Sequence, residues 1–248
     1  MTEKPVAIVT AAGKGIGAAC ARELARRGYE LVLMSVSGGA VRVAEELGCI
    51  GLTGSVLRKE DLEAVTAAAL STYGRIDAVV NNTVNPSWST TLQVSPYEIA
   101  PDGHLLDIPD ADWHEMLDAL ILTTVRMARL VTPLMQKQGG GAIVNISGMG
   151  AAVPCIAYPF GATMRRALTG FTKLYAARYG RDGIRMNNVL PGFIENNEWS
   201  PALLGNIPMT RAGSLAEVAS TIAFLAGRES GYVTGQDILV DGGVVRGL

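Results

Sequence analysis

Short apolar runs alternate along this chain with longer segments in which apolar residues recur at helical spacing. The short runs are rich in β-branched residues and predict seven strands: Val6 to Thr10, Glu30 to Met34, Cys49 to Leu52, Ile76 to Asn81, Ala142 to Ser147, Ile184 to Leu190 and Ile238 to Val240. The longer segments predict helices, among them Ile16 to Arg27, Asp61 to Tyr73, Asp112 to Gln136 and Ala167 to Tyr179. Strands that alternate with helices in this way favour a parallel sheet.

That alternation predicts an α/β fold of the Rossmann type, with a doubly wound seven-stranded parallel sheet and helices on both faces. Crossover connections in such sheets are right-handed, and ligands bind beyond the carboxyl ends of the strands, where the winding reverses. We therefore expect the functional residues directly after the strands.

One stretch of the chain, at about 85–110, lacks a clear period and contains four prolines. It predicts a long insertion loop within a single domain that covers residues 1–248. Loops of this length in compact domains are usually lids or binding loops, with disorder as the other outcome. Trp88 and Tyr97 lie in this stretch, and they either close over an apolar ligand or pin the loop to the surface or to another subunit.

Composition limits the classes of partner. Hydrophobic residues make up 48% of the chain and charged residues 18%, which predicts a folded protein with a large core. With 21 basic and 23 acidic residues, a net charge of -2 and no basic run, neither nucleic acid nor a membrane surface is an expected partner. The 3 cysteines show no metal-ligand spacing, and the N-terminal residues do not resemble a signal peptide. We expect a cytoplasmic protein without a metal site, whose partner is a small molecule.

A glycine-rich turn directly follows the first strand and directly precedes the first helix. Its residues are Thr10, Ala11, Ala12, Gly13, Lys14, Gly15, Ile16 and Gly17. Small residues allow a tight turn in which backbone N–H groups approach a pyrophosphate, and the following helix N-terminus favours negative charge. The turn therefore predicts a dinucleotide site, and a plain structural turn is the alternative.

This turn and several later segments resemble the short-chain dehydrogenase/reductase family. Residues 10–17 are similar to the family's Thr-Gly-x-x-x-Gly-x-Gly, with Ala11 in place of the first glycine, and Asn81-Asn82-Thr83-Val84 is similar to its Asn-Asn-Ala-Gly. Residues 183–187 and 191–194 match its sixth-strand segment, and residues 235–236 with 240–243 match its C-terminal strand. Because these segments extend over nearly the whole chain, the resemblance is specific.

The resemblance implies a nicotinamide-dependent oxidoreductase that interconverts small alcohols and carbonyl compounds, in a homo-oligomer that is a tetramer or a dimer. It places Pro191, Gly192 and Ile194 near the nicotinamide of the cofactor, and Asn81 near its adenosine ribose. The backbone of the glycine-rich turn would hold the pyrophosphate.

Two residues bear on which dinucleotide binds. An acidic residue at the end of the second strand grips the ribose diol of NAD and repels the extra phosphate of NADP, and Ser35 occupies that place. Lys14 adds a positive charge at the edge of the phosphate turn, unless it is only a solvated surface lysine. Together these residues favour NADP(H) over NAD(H).

Two departures from the family pattern affect this site. Ala11 adds a methyl group where the turn needs a close backbone approach, which a helical or extended φ tolerates but a positive φ does not. Val84 puts a branched side chain where the family's glycine lies against the cofactor ribose. We expect Val84 to occlude part of the dinucleotide site.

The family's acid–base relay consists of a tyrosine, a lysine four residues later, a serine and an asparagine. The family's spacing, counted back from Gly183, puts the lysine position at Arg165 and the tyrosine position at Gly161. The serine position falls at Gly148 and the asparagine position at Leu120. Glycine cannot donate a proton, so the resemblance predicts that the ordinary relay is absent.

A substitute set is predicted from Ser147, Tyr158 and Arg165. Pro159 favours a helix start at this point, which would bring Tyr158 and Arg165 onto one face, with space beside Gly161. The set resembles the serine, tyrosine and arginine of the halohydrin dehalogenases, and the planar fork of Arg165 suits a carboxylate or a phosphate. The alternatives are a packed aromatic ring at Tyr158, a strand-end hydrogen bond for Ser147 and a solvated Arg165.

Three functions remain open from the sequence. The first is NADP(H)-dependent interconversion of alcohols and carbonyl compounds with a non-standard active site. The second is a non-redox enzyme on the same fold, such as a lyase, an isomerase or a dehalogenase-like catalyst. The third is a catalytically silent subunit that binds a ligand.

Overall fold

The computed structural model of the protein describes residues 4–82, 106, 108–154 and 159–247. The strands in these residues are β1 (Val6–Thr10), β2 (Glu30–Ser35), β3 (Ile50–Thr53), β4 (Ala78–Asn81), β5 (Gly141–Ile146), β6 (Ile184–Pro191) and β7 (Asp237–Val240). They form one sheet in the order β3-β2-β1-β4-β5-β6-β7, and every neighbouring pair is parallel. The predicted seven-stranded parallel sheet is confirmed.

Helices cover both faces of this sheet. They are α1 (Gly15–Arg26), α2 (Gly39–Leu47), α3 (Lys59–Tyr73), α4 (Asp110–Met116), α5 (Thr123–Gln138), α6 (Pro159–Tyr179), α7 (Pro201–Gly205) and α8 (Leu215–Ala226). Alternate residues of a strand point to opposite faces. Accordingly, Ala7 and Val9 of β1 pack in one core with α1, α2 and α8, and Val6 and Ile8 pack in a second core with α3, α5 and α6.

One predicted helix is interrupted. The sequence pattern predicts a single helix from Asp112 to Gln136, but a π-helix at Leu117–Leu122 joins α4 to α5. A π-helical turn contains about one residue more than an α-helical turn, and the spacing of apolar residues does not reveal it. The sequence pattern therefore could not predict this change. Leu120, at the family's asparagine position, lies in this π-helix and packs with Met116 in a small apolar cluster.

Some predictions fall outside the described residues. The insertion predicted at about 85–110 is described only at residues 106 and 108–110, and neither Val84 nor Tyr158 is described. The single domain, the lid and the occlusion by Val84 therefore stay predictions. Within the ranges that are described, no helix combines the length and the apolar character needed to cross a membrane.

Candidate functional site

The candidate site lies where the sheet reverses its winding. The chain runs outward from β1 through β2 to β3 on one side and from β4 to β7 on the other, so β1 and β4 are neighbours. β1 ends at Thr10, β4 ends at Asn81, and the glycine-rich turn directly follows β1. This is the place at which folds of this class bind their ligands.

Gly17, in the first turn of α1, lies too close to the chain for any side chain. A Cβ atom on Gly17 would collide with the carbonyl oxygen of Ala11 and lie 2.5 Å from Asn82 Nδ2. Lys14, the residue before α1, makes no side-chain hydrogen bond to the first turn of the helix. An ammonium group has no acceptor, so Lys14 leaves the N–H groups of that turn uncapped, and the glycine-rich turn can serve as an anion cradle.

Ala11 adopts the conformation that is unfavourable for a methyl group. Its φ is +47°, in the left-handed region, where an alanine is strained by about 1 kcal/mol relative to a glycine. Two hydrogen bonds hold the turn: Asn82 Nδ2 donates to Ala11 O at 3.2 Å, and Ala12 N donates to Met34 O at 3.0 Å. The turn therefore keeps its shape despite the departure from the family's glycine.

Thr10 and Asn81, both predicted at the cofactor site, direct their side chains into the protein. Thr10 Oγ1 lies 3.3 Å from the carbonyl oxygens of Val80 and Asn82, and it accepts a hydrogen bond from Asn82 N at 3.0 Å. Asn81 Nδ2 donates to Asn145 Oδ1 at 2.9 Å. Both side chains thus tie neighbouring strand ends together, and their contribution to cofactor binding stays a prediction.

Ser35 ends β2 and faces the glycine-rich turn. Its Oγ accepts a hydrogen bond from Ala40 N at 2.9 Å, and a Cβ atom on Gly13 would lie 3.0 Å from the same oxygen. Ser35 is buried, whereas Lys14 is exposed at the edge of the turn. Residues 35–40 contain no carboxylate, so this end of β2 carries a neutral hydroxyl group next to Gly13, the residue before Lys14.

The segment after β6 approaches the same turn from the other side. Gly192 N donates to Val240 O at 3.0 Å, which ties the end of β6 to β7. Ile194 is buried. Asn196 Nδ2 lies 3.8 Å from the position of a Cβ atom on Gly15. The segment that follows Ile194 therefore reaches the glycine-rich turn at Asn196.

Ser147, Gly148 and Arg165 meet at the carboxyl end of β5. Ser147 directly follows β5, its N–H group donates to Val189 O at 2.8 Å, and its side chain is buried. Arg165 lies on α6, which begins at Pro159 as predicted. Arg165 Nη1 is 3.2 Å from the position of a Cβ atom on Gly148. Because Gly148 has no side chain, it leaves a space, and the guanidinium group of Arg165 lies beside this space.

Two polar atoms of this group have no partner in the described part of the chain. Ser147 Oγ and Arg165 Nη1 are both shielded from solvent, and neither makes a hydrogen bond to a described residue. Only this nitrogen is shielded, since Arg165 as a whole is partly exposed, so a solvated arginine stays an alternative. Buried polar atoms are nearly always hydrogen-bonded, so the two atoms mark a place for a ligand or a water molecule.

Arg165 also carries an uncompensated charge. Burial lowers the pKa of its guanidinium group to about 10, and no carboxylate among the described residues offsets this effect. The group is still protonated at neutral pH, because its pKa lies well above 7. The carboxyl end of β5 therefore holds a positive charge with a shielded nitrogen next to Gly148, the residue that follows Ser147.

The structure covers only part of the predicted catalytic set. Gly161 is buried on α6 one turn before Arg165, and it has no side chain that could donate a proton. Tyr158, the predicted third member beside Ser147 and Arg165, lies outside the described residues. The replacement of the family's catalytic residues at these positions stays a prediction.

A row of polar side chains crosses four strands, and the sequence patterns did not predict it. Asn81, Asn145, Asn188 and Asp237 are direct neighbours in register on β4, β5, β6 and β7. Along this amide row, Asn81 donates to Asn145 at 2.9 Å, Asn145 to Asn188 at 3.0 Å, and Asn188 to Asp237 at 2.7 Å. The four residues lie in four different strands, so only the register of the sheet shows that they form one row.

The amide row also binds α6. Thr172 Oγ1 donates to Asn188 Oδ1 at 2.9 Å, and Thr169 Oγ1 donates to Asp237 Oδ2 at 2.6 Å. The two threonines follow Arg165 on α6 by about one and two helical turns. The amide row therefore fixes the helix that carries Arg165 against the sheet.

Comparisons with known proteins agree with this architecture. A family model described as enoyl-(acyl carrier protein) reductase matches residues 10–245. The chain is 31% identical to the 3-oxoacyl-[acyl-carrier-protein] reductase FabG of Vibrio harveyi over 98% of both chains. It is 32% identical to dehydrogenase/reductase SDR family member 4 of Bos taurus, over 97% of this chain and 87% of that protein.

A solved structure gives the same result at the level of the fold. The crystal structure of YwfH, an NADPH dependent reductase involved in bacilysin biosynthesis, superposes with a TM-score of 0.87 at 26% identity, covering 99% of this chain and 100% of that chain. Since the family model spans nearly the whole chain, and relatives above 30% identity match it from end to end, the protein belongs to the short-chain dehydrogenase/reductase family.

Proposed function

We propose that this protein is an NADP(H)-dependent reductase of small carbonyl compounds, with a non-standard active site around Ser147 and Arg165. The observation that carries the proposal is the combination of an anion cradle after β1 with two shielded polar atoms, Ser147 Oγ and Arg165 Nη1, that have no described partner after β5. The names of the relatives support reduction, because FabG is named a reductase and YwfH an NADPH dependent reductase.

The described residues fit a dinucleotide. The backbone of residues 13–17 would hold the pyrophosphate, and the segment 191–194 would lie beside the nicotinamide. Ser35 and Lys14 would favour the extra phosphate of NADP(H), because neither residue repels it as a carboxylate would. When bound, the cofactor donates or accepts a hydride.

Arg165 would act on charge rather than on protons. Its guanidinium group stays protonated near neutral pH, so it stabilises negative charge on a substrate oxygen but does not transfer a proton. The Ser147 hydroxyl group can donate a hydrogen bond to the same part of the substrate. Tyr158 is the candidate proton donor, a role that rests on its place in the sequence directly before α6.

The other hypotheses from the sequence stay untested. No observation in the described ranges specifically favours a non-redox enzyme or a catalytically silent subunit. The expected homo-oligomer and the cytoplasmic location likewise stay predictions.

Titration of the protein with NADPH, followed by nicotinamide fluorescence, tests the proposal. We expect a saturable signal, and a weaker affinity for NADH than for NADPH. Gly17→Ala should abolish the signal, because the added methyl group meets Ala11 and Asn82 in the cradle. Gly170→Ala is the matched control, since nothing lies within 4 Å of a Cβ atom at that helical glycine.

Circular dichroism of both variants establishes that they fold. A wild-type protein that gives no saturable signal with NADPH or NADH, even at high protein concentration, would contradict the proposal. Retained binding in folded Gly17→Ala would show that the cofactor does not use the cradle after β1.

A further inference from the structure

We infer that the substrate carries a carboxylate group, which binds to the guanidinium group of Arg165 and the hydroxyl group of Ser147. This inference rests on the proposed function, because it names the substrate class of the same site. The expected substrate is then an oxo acid rather than a neutral aldehyde or ketone.

Arg165 differs from other arginines that lie partly inside the protein. Arg185 donates to the carbonyl oxygens of Leu225 at 2.9 Å and Gly227 at 2.8 Å. Arg27 lies 2.8 Å from the carboxylate of Glu23. The fold thus supplies partners to these guanidinium groups, whereas within the described ranges it supplies none to Arg165 Nη1.

Arg165 Nη1 is shielded from solvent and has no partner in the described ranges, which is an unfavourable arrangement for a cation. Two charges attract more strongly inside a protein than in water, because the local dielectric constant is lower. An anion at Arg165 would therefore restore both the missing charge and the missing hydrogen bond, whereas water would restore only the bond. The atoms of the ligand that meet Arg165 Nη1 should be negatively charged oxygens.

The number of charges at the site favours a carboxylate over a phosphate. A guanidinium group matches the planar geometry of either oxyanion. Arg165 contributes one positive charge, and Ser147 contributes a neutral donor. A carboxylate balances this charge, whereas a phosphate dianion would leave excess negative charge in a buried place. Gly148 keeps the space beside Arg165 Nη1 free of a side chain.

Thermal melting without cofactor provides a test that does not depend on turnover. The probes are pyruvate, 2-oxobutanoate and phenylpyruvate, each compared with its methyl ester, which keeps the carbonyl group but removes the charge. We expect at least one acid to raise the melting temperature saturably and its ester to have no such effect. If no acid stabilises the protein more than its ester does, the inference is wrong.

Variants assign the effect to the site. Arg165→Met should weaken binding of the stabilising acid on the order of 100-fold, because it removes one partner of a buried charge pair. Ser147→Ala should weaken it on the order of 10-fold, because it removes a neutral donor. Arg178→Met is the control, since Arg178 is exposed on the same helix and close to Asp182. Equal affinity in wild type and folded Arg165→Met would overturn the inference.

Two further measurements keep the test decisive. Arg165→Met should melt at a higher temperature than wild type without ligand, because it removes an uncompensated buried charge. If that variant does not fold, Arg165→Lys takes its place, and it should retain the positive charge but bind the acid more weakly, because it loses the planar fork.

Oxidation of NADPH separates this inference from the proposed function. Equal turnover of acids and their esters by the wild-type protein would contradict the carboxylate site and leave the reductase proposal intact. Stabilisation by an acid without any binding of NADPH would contradict the reductase proposal and leave the carboxylate site intact.

Discussion

The crevice after β1 is built from residues whose size is limited by the atoms around them. Gly17 lies against the backbone of Ala11, and Gly13 lies against the backbone of Gly39. Ala11 is the departure within this crevice. That an alanine replaces the family's glycine is visible in the sequence, but only its φ of +47° shows that the methyl group is strained.

Relief of this strain is the prediction at the residue scale. Ala11→Gly should raise the free energy of unfolding by about 0.5–1 kcal/mol, because glycine adopts a positive φ without strain but gains more entropy on unfolding. The midpoint of urea denaturation measures the change. Ala12→Gly is the control, since Ala12 is fully buried without a positive φ and its substitution should destabilise the protein. A lower midpoint for Ala11→Gly than for wild type would contradict this account.

Among the elements, α6 determines the position of Arg165 and is itself positioned by the sheet. The amide row on β4 to β7 bonds to Thr169 and Thr172 of this helix. Asn145 is the most connected member, since its side chain bonds to Asn81, Asn188 and Thr172. Loss of this side chain would remove three buried hydrogen bonds, and Asn81 Nδ2 would lose its described partner, whereas Thr172 and Asn188 keep the bond between them.

At this scale, Asn145→Ala should lower the free energy of unfolding by about 3 kcal/mol, because it removes three buried hydrogen bonds that each contribute about 1 kcal/mol. Urea denaturation measures the loss. Hydrogen exchange should quicken at the amides of α6 more than at those of α1. Asn206→Ala, at an exposed asparagine, is expected to change stability by less than about 0.5 kcal/mol. Unchanged protection of α6 in Asn145→Ala would show that the row does not hold the helix.

At the scale of the whole molecule, surface ion pairs make the free energy of unfolding depend on pH in the acid range. Arg26 and Arg27 lower the pKa of Glu23 to about 2 through hydrogen bonds. Arg211, together with Ser214, lowers the pKa of Glu217 to about 2. Both pKa values in the folded protein lie below the usual 4.5. Between pH 4.5 and about pH 2, the unfolded chain therefore binds more protons than the folded protein. The stability that these pairs contribute is therefore present above pH 4.5 and lost as the pH falls towards 2.

Replacement of both carboxylates tests this dependence. The double variant Glu23→Gln/Glu217→Gln should lose less stability than wild type between pH 4.5 and pH 2, as measured by urea midpoints. The difference in lost stability between wild type and the double variant should be small, because both ion pairs lie at the surface. It should shrink in about 1 M salt, because salt at that concentration screens charges that are more than a few ångströms apart. Glu198→Gln, at an exposed glutamate, serves as the control. Parallel pH profiles for wild type and the double variant would refute the assignment.

Local features of the sequence determined the sheet, the glycine-rich turn and the start of α6 at Pro159, because hydrophobic period and turn chemistry are properties of neighbouring residues. Observed strand ends differ from the predicted ones by one or two residues, because hydrogen bonding to neighbouring strands decides where a strand ends. Only the tertiary structure decided that Ala11 is strained, that four separate side chains form the amide row, and that Arg165 Nη1 is shielded without a described partner. Strain, register and burial depend on residues that are far apart in the chain and become neighbours only when the strands and helices pack.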